Sequence, residues 1–212
     1  YPGALTDAAL TDTHAFCITY SGLLVLDITT ATPTVACFLP MPDDAEGIAV
    51  RDDLAYLAPE DVGLRILDIS DPAAPQEVGT CPLPGGHGDV VLGPHHAYVA
   101  DSYLGVRVFD ISDPTAPAAV GLVTIGPRIL DLELDGQTLY AAGDGLGLHV
   151  IDVSDPTHPV HADMIDVLGN ICGVKARDDY LYLAAGRRGL RILSRAGEEI
   201  VEVGDAPLDF DA

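Results

Sequence analysis

Basic residues are scarce in this chain. Its 212 residues carry 10 lysines and arginines against 33 acids, with Lys175 the single lysine, for a formal net charge of -23. A field of that sign repels phosphate backbones and anionic lipid surfaces, so nucleic acid is not an expected partner. Long apolar runs are missing as well. Nothing approaches the roughly 18 consecutive apolar residues that a bilayer span requires, and no membrane insertion is expected. Cysteines are few, at positions 17, 37, 81 and 172, and they show neither a metal-ligand spacing nor a disulfide framework. Catalytic signatures are also lacking: there is no Gly-x-Ser-x-Gly, no His-Glu-x-x-His and no phosphate loop. No segment repeats its apolar residues at the helical period.

What the chain has in abundance is turns and short apolar runs. Aspartate outnumbers glutamate 26 to 7, and aspartate favours tight turns because its side chain accepts from the backbone just ahead of it. The runs repeat. Gly22 to Ile28, Gly63 to Ile69, Gly105 to Ile111, Gly147 to Val153 and Gly189 to Arg195 are copies of one element. A second series, Phe16, Tyr56, Tyr98, Tyr140 and Tyr182, keeps the same phase. A third series, Ser70-Asp-Pro, Ser112-Asp-Pro and Ser154-Asp-Pro, follows the element, and proline after aspartate presets a type I turn.

Each repeat of about 42 residues therefore reads as four short β runs separated by Gly, Pro and Asp. In the second repeat these are roughly 47–51, 54–58, 63–69 and 76–83. A four-stranded meander of that length is the blade of a propeller. The predicted fold is all-β: a single five-bladed β-propeller domain over 1–212, with four-stranded antiparallel blades near 5–42, 46–84, 88–126, 130–168 and 172–205. The expected innermost strand of the first blade runs from about Asp7 to Thr11, and the outermost strand of the fifth from about Glu198 to Gly204. Closure is expected from inter-blade packing, with every blade continuous in sequence.

The Ala-Tyr-Val-Ala of residues 97–100 and the Gly-Leu-Arg-Ile-Leu-Asp-Ile-Ser-Asp-Pro of residues 63–72, followed by Ala-Ala-Pro, resemble the LVIVD-repeat family of β-propellers. The resemblance covers essentially the whole chain. It implies a propeller and an extracytoplasmic or secreted home, and it implies nothing about activity. The first repeat, with its Ile28-Thr-Thr-Ala-Thr-Pro33 turn, and the fifth, with Ser194-Arg-Ala-Gly197, depart from the pattern.

Superimposing the copies separates scaffold from candidate site. Asp27, Asp68, Asp110 and Asp152 each precede a turn they can cap, and the aromatic series reads as core. Arg65, Arg107 and Arg191 share one repeat position with His149 and read as scaffold. Cys17 and Cys81 stand where other copies have small apolar residues.

The loops leading into each first strand are where the copies stop agreeing, and the loops between second and third strands share their face. Propeller ligands usually sit there, at the mouth of the central channel. The face gathers Glu46, His87, Asp89, Arg128, Asp131, Asn170 and Cys172 from the leading loops. Tyr20, Glu60, Asp61, Asp101, Tyr103, Asp144, Arg187 and Arg188 come from the second set.

Two functions follow. In the first, the face is a binding or interaction site for a small molecule, a glycan or a protein, with Glu46, Arg128, Asn170, Tyr103, Arg187 and Arg188 as ligand contacts. In the second, it is an active site of hydrolase, lyase or isomerase type. His87 would then shuttle a proton, Asp89 or Asp131 would orient it, and Cys172 would be the nucleophile. No cofactor is predicted. Calcium or another divalent cation is the alternative, held by Asp7, Asp89 and Asp131.

Overall fold

The computed structural model describes residues 4–41, 45–59, 63–83, 88–101, 103–126, 128–143, 147–197 and 199–206. These form five antiparallel sheets of four strands each, every sheet built from four strands consecutive in the chain. The fold is a five-bladed β-propeller. The first sheet contains β1 (Leu5–Leu10), β2 (His14–Thr19), β3 (Gly22–Asp27) and β4 (Thr34–Pro40). The second contains β5 (Ala45–Arg51), β6 (Leu54–Pro59), β7 (Leu64–Asp68) and β8 (Gln76–Cys81). The third contains β9 (Val90–Leu92), β10 (His96–Asp101), β11 (Gly105–Asp110) and β12 (Ala118–Thr124). The fourth contains β13 (Ile129–Asp135), β14 (Thr138–Gly143), β15 (Gly147–Asp152) and β16 (Val160–Ile165). The fifth contains β17 (Gly173–Arg177), β18 (Tyr180–Ala184), β19 (Leu190–Ser194) and β20 (Val201–Ala206). A 3-10 turn, η1 (Gly186–Arg188), joins β18 to β19.

The capping aspartates behave as turn residues. Asp27, Asp68, Asp110 and Asp152 each accept, at Oδ1, the backbone N–H two residues on at 2.8 Å. A second tier, Asp71, Asp113 and Asp155, does the same one turn later. In the first four sheets the glycine at the head of the third strand is required by crowding. A Cβ on Gly22, Gly63, Gly105 or Gly147 would stand 2.2 to 2.5 Å from a carbonyl oxygen of the adjacent strand region, and each of these residues has positive φ. No other residue type meets both conditions.

Two irregularities recur from sheet to sheet. The register slips between Leu5 and Asp7, Ala45 and Gly47, and Ile129 and Asp131. It slips again between third and fourth strands, as at Val25/Leu26 and Ile66/Leu67. A bulge re-aims the residue that follows it. The first set explains why β5 starts at Ala45, ahead of the alternation that is legible from Gly47. In the fifth sheet β20 starts three residues later and ends two residues later than the sequence pattern places the strand, and it pairs with β19.

The chain divides into two compact units, Tyr1–Asp101 with Arg107–Val120, and Ser102–Val106 with Gly121–Ala212. In the first unit, Phe16, Ile18, Leu23 and Val25 pack with Ile48, Leu57 and Leu67 of the next sheet. Tyr56, Leu64 and Ile66 pack in turn with Val90, Val99 and Phe109. In the second unit, Tyr140, Ala142 and Leu148 meet Val174, Leu181, Leu183 and Leu193. Four of the five repeating aromatics are thus core, with Phe16 and Tyr56 each 1% exposed, while Tyr182 is half-buried.

Candidate functional site

The repeat position occupied by Arg65, Arg107 and Arg191 is an ion-pair position. Arg65 Nε lies 2.9 Å from Glu77 Oε2, and Arg191 Nη1 lies 2.6 Å from Glu202 Oε1. Arg107 takes a different partner, Asp101, at 2.5 Å. Asp101, the last residue of β10, is 1% exposed, so this acid serves a buried pair. The first sheet fills the same place with Leu24 opposite Phe38. The fourth replaces both ions with imidazoles, His149 and His161, whose Nδ1 and Nε2 are 3.0 Å apart. Repetition identified His149, but it did not find His161. The signal was present, since His161 follows His149 by the same 12 residues that separate Glu77 from Arg65.

The leading aspartates reach across to the neighbouring sheet. Asp7 Oδ1 accepts from the N–H of Ala8, and Oδ2 accepts from the N–H of Ile48 at 2.9 Å. Asp131 Oδ2 accepts from the N–H of Val174 at 2.6 Å. Asp89 accepts from Val90 N–H at 2.8 Å and is half-buried. The bulge just before Asp7 and Asp131 aims these carboxylates. Gly47, at the same repeat position, makes its junction differently. A Cβ there would stand 2.4 Å from the carbonyl oxygen of Gly88, so the next segment comes in directly against the backbone.

In the second unit four candidates converge at one end of the fifth sheet. Asn170 and Cys172 lie just before β17, while Arg187 and Arg188 lie in η1, just after β18. The two segments are in contact: Arg188 Cγ stands 3.2 Å from where a Cβ on Gly169 would be, and the carbonyl oxygen of Asn170 stands 3.5 Å from that of a Cβ on Gly186. Cys172 donates its N–H to the carbonyl oxygen of Ala184 at 2.9 Å. Its Sγ points to the same oxygen at 3.4 Å, so the thiol is paired with a carbonyl. Beside it opens a cavity of about 360 Å³ lined by Cys172, Ala184, Ala185, Gly186, Gly189, Leu190 and Ala206. The lining is almost wholly apolar, and its Gly186, the first residue of η1, and Gly189 bracket Arg187 and Arg188, both exposed.

Asp131 stands next to this group, its Oδ2 3.7 Å from where a Cβ on Gly173 would be. Arg128 is exposed and takes φ of 65°, a left-handed conformation that costs a residue with a Cβ roughly 1 to 2 kcal/mol. Tyr103 is 65% exposed. Glu46 is exposed on β5 and, like Asp7 and Asp89, belongs to the first unit. His87, Glu60, Asp61 and Asp144 lie outside the described residues. Among the described residues no three or more His, Cys, Asp and Glu side chains gather as a metal cluster. All four cysteines are free, and burial, followed by the nearby Asp7 charge, pushes the Cys17 thiol above its ordinary range.

The LVIVD-repeat family model matches residues 42–82, 84–124 and 130–166. A search of curated protein sequences finds no match. Among solved structures, a functionally unknown protein from Desulfotomaculum acetoxidans superimposes with a TM-score of 0.80 at 13% identity, over 100% of this chain and 73% of that one. The computationally designed Ika8 protein gives a TM-score of 0.73 at 12% identity, over 98% and 64%. Hsv2 of Kluyveromyces lactis gives 0.65 at 14% identity, over 97% and 63%. The chain thus spans just under two thirds of the length of the latter two. At these identities the likeness is one of fold.

Proposed function

Because this chain belongs to the LVIVD-repeat family, we propose that it is a propeller binding module whose seat for a small molecule lies at the loop end of the fifth sheet. One observation supports this reading: an apolar cavity of about 360 Å³ beside a rim with two exposed arginines. Small-ligand sites are concave, mostly apolar and oriented by a few polar groups, with volumes of roughly 300 to 1,000 Å³. The chemistry complementary to this seat is a compact apolar body bearing one anionic group. The body would displace water from Leu190, Ala184 and Ala206, and the charge would meet Arg187 or Arg188 by charge-assisted hydrogen bonding. In a chain of net charge -23, a local pair of arginines is also what lets an anion approach at all. A glycan would find few hydrogen-bonding partners on such a lining.

The probe is 8-anilinonaphthalene-1-sulfonate, which has an aromatic body and a sulfonate. Expected is saturable binding at one equivalent, slower alkylation of Cys172 with probe bound, and a loss of affinity of at least fivefold in Arg187→Ala/Arg188→Ala. Ala206→Phe, which fills the cavity, should abolish binding while leaving the melting temperature within a few degrees. Equal affinity in both variants would remove the site from this end of the fifth sheet.

A further inference from the structure

The fourth sheet differs from the second and fifth at one interaction. Those sheets set a guanidinium against a carboxylate, Arg65 with Glu77 and Arg191 with Glu202, whereas the fourth sets His149 against His161. Nδ1 of His149 and Nε2 of His161 are 3.0 Å apart, with ring centroids at 5.0 Å and planes inclined by 53°. His149 is 3% exposed, and His161 is open to solvent. Two imidazoles are a poor replacement for two opposite charges. They can share one proton between the facing nitrogens, and His149 Nε2 is buried with no partner among the described residues whether Nδ1 holds that proton or an ion. What two imidazoles do supply, and an arginine–glutamate pair does not, is two nitrogen donors 3.0 Å apart, within reach of one ion.

We propose that His149 Nδ1 and His161 Nε2 are ligands for a late first-row transition-metal ion, Zn²⁺ or Cu²⁺, entering from the solvent side of His161. Imidazole nitrogens bind these ions at about 2.0 to 2.1 Å, and donors 3.0 Å apart at that range subtend roughly a right angle at the metal. Met164 lies directly opposite His149 in the β15–β16 register, which puts its thioether on the same sheet face as a third donor. Solvent completes the shell from the open side. The acidic surface concentrates divalent cations around the whole chain, and the histidine pair selects those that prefer nitrogen to oxygen.

The sister sheets provide the control. His149→Arg/His161→Glu installs the pair that the second sheet uses, retaining the fold while removing both nitrogen donors, and His161→Ala removes only the exposed donor. The chelator-treated protein is titrated with CuSO₄ and, separately, ZnCl₂, with calorimetry, the copper d–d absorption band and the melting temperature as readouts. Expected is one equivalent bound with a rise in melting temperature, an affinity lower by at least tenfold in His161→Ala, and no such binding in the double variant, which still melts cooperatively. Absence of saturable one-equivalent binding in the native chain would overturn the proposal. So would undiminished binding in the double variant, which would assign the metal to other histidines such as His95 and His96.

Discussion

Asp7 and Ile48 are one repeat apart, and Oδ2 of the first accepts the backbone N–H of the second at 2.9 Å. Asp131 and Val174 repeat the relationship at 2.6 Å. In each case a carboxylate on one sheet satisfies a donor on the first strand of the next. Glu133 adds to the junction, accepting from the N–H of Ala176 and from Lys175 Nζ. Removing the acceptor strands a half-buried N–H, at a cost of about 1 to 3 kcal/mol. Asp131→Ala should lower stability by that amount in chemical denaturation, and Asp131→Asn, which keeps an acceptor, by distinctly less. If the two substitutions were equivalent, the bond would not be what holds the junction.

Those aspartates also show how far the sequence was legible. The fold could be read because one 42-residue pattern occurs five times, and Tyr56, Gly63 and Asp68 recur in phase for reasons of core, crowding and turn that any single copy displays. The site was less legible because its residues are defined by failing to repeat, and failure to repeat has several causes. Asp7 and Asp131 were grouped with the ligand candidates, yet the structure gives them a backbone N–H one repeat away, a partner that appears only when bulge and neighbouring sheet are both in place. Asp101 likewise varies from copy to copy because it has taken over as the partner of Arg107. Asn170, Cys172, Arg187 and Arg188 do come together, since loops before a first strand and after a second strand share one end of a sheet. The cavity beside them depends on the small side chains of Ala184, which repeats as Ala58, Ala100 and Ala142 and so reads as scaffold, and of Ala206, which lies beyond the repeat pattern.

The Arg107–Asp101 pair should be among the most sensitive points of the third sheet. Breaking one partner of a buried ion pair typically costs roughly 3 to 5 kcal/mol, because the remaining carboxylate, here 1% exposed, keeps its desolvation penalty. Arg107→Ala should therefore destabilise strongly, and Arg107→Leu/Asp101→Ala should recover part of the loss. A double variant less stable than Arg107→Ala would contradict this account. By contrast, Arg191→Ala, whose partners Glu202 and Asp205 are largely solvated, should cost about 1 kcal/mol or less.

Acid should weaken the fold through its turns. The Thr29 hydroxyl and then its N–H hold Asp27 below the usual carboxylate range. Ser70 acts on Asp68 in the same order, and Thr115 on Asp113. For Asp110 and Asp152 the backbone N–H of Ser112 or Ser154 leads and the hydroxyl follows. A carboxylate whose folded pKa is depressed contributes stability above its unfolded value, near 3.9, and loses it as pH falls through the folded value. The melting temperature should thus drop steeply below about pH 4. Replacing Asp68 and Asp110 by alanine should lower stability at neutral pH and flatten that drop. An unchanged acid slope would place the sensitivity in other acids.

The four thiols should separate by accessibility. Cys172 is exposed and Cys17 is 4% exposed with its thiol pushed up by burial, and thiolate fraction together with access sets the rate of alkylation. Maleimide should modify Cys172 first and Cys17 only on unfolding. Mass spectrometry of digested, partly labelled protein resolves the order, and early modification of Cys17 would mean that the first sheet opens readily.

Salt dependence tests whether the acidity is a general field or a set of ion sites. With a net charge of -23, self-repulsion opposes the compact state, and raising ionic strength shortens the Debye length to about 8 Å at 0.15 M. Specific calcium binding works differently. It needs six to eight oxygen ligands converging on one point, and the leading aspartates already direct oxygens at backbone N–H groups: both oxygens of Asp7, and Oδ2 of Asp131. A calcium ion would have to compete with those bonds. The melting temperature should therefore rise with sodium chloride and rise equally with calcium chloride at matched ionic strength. A large additional stabilisation by millimolar calcium, lost in Asp7→Asn or Asp131→Asn, would show instead that these carboxylates turn from the neighbouring strand to a cation when one is offered.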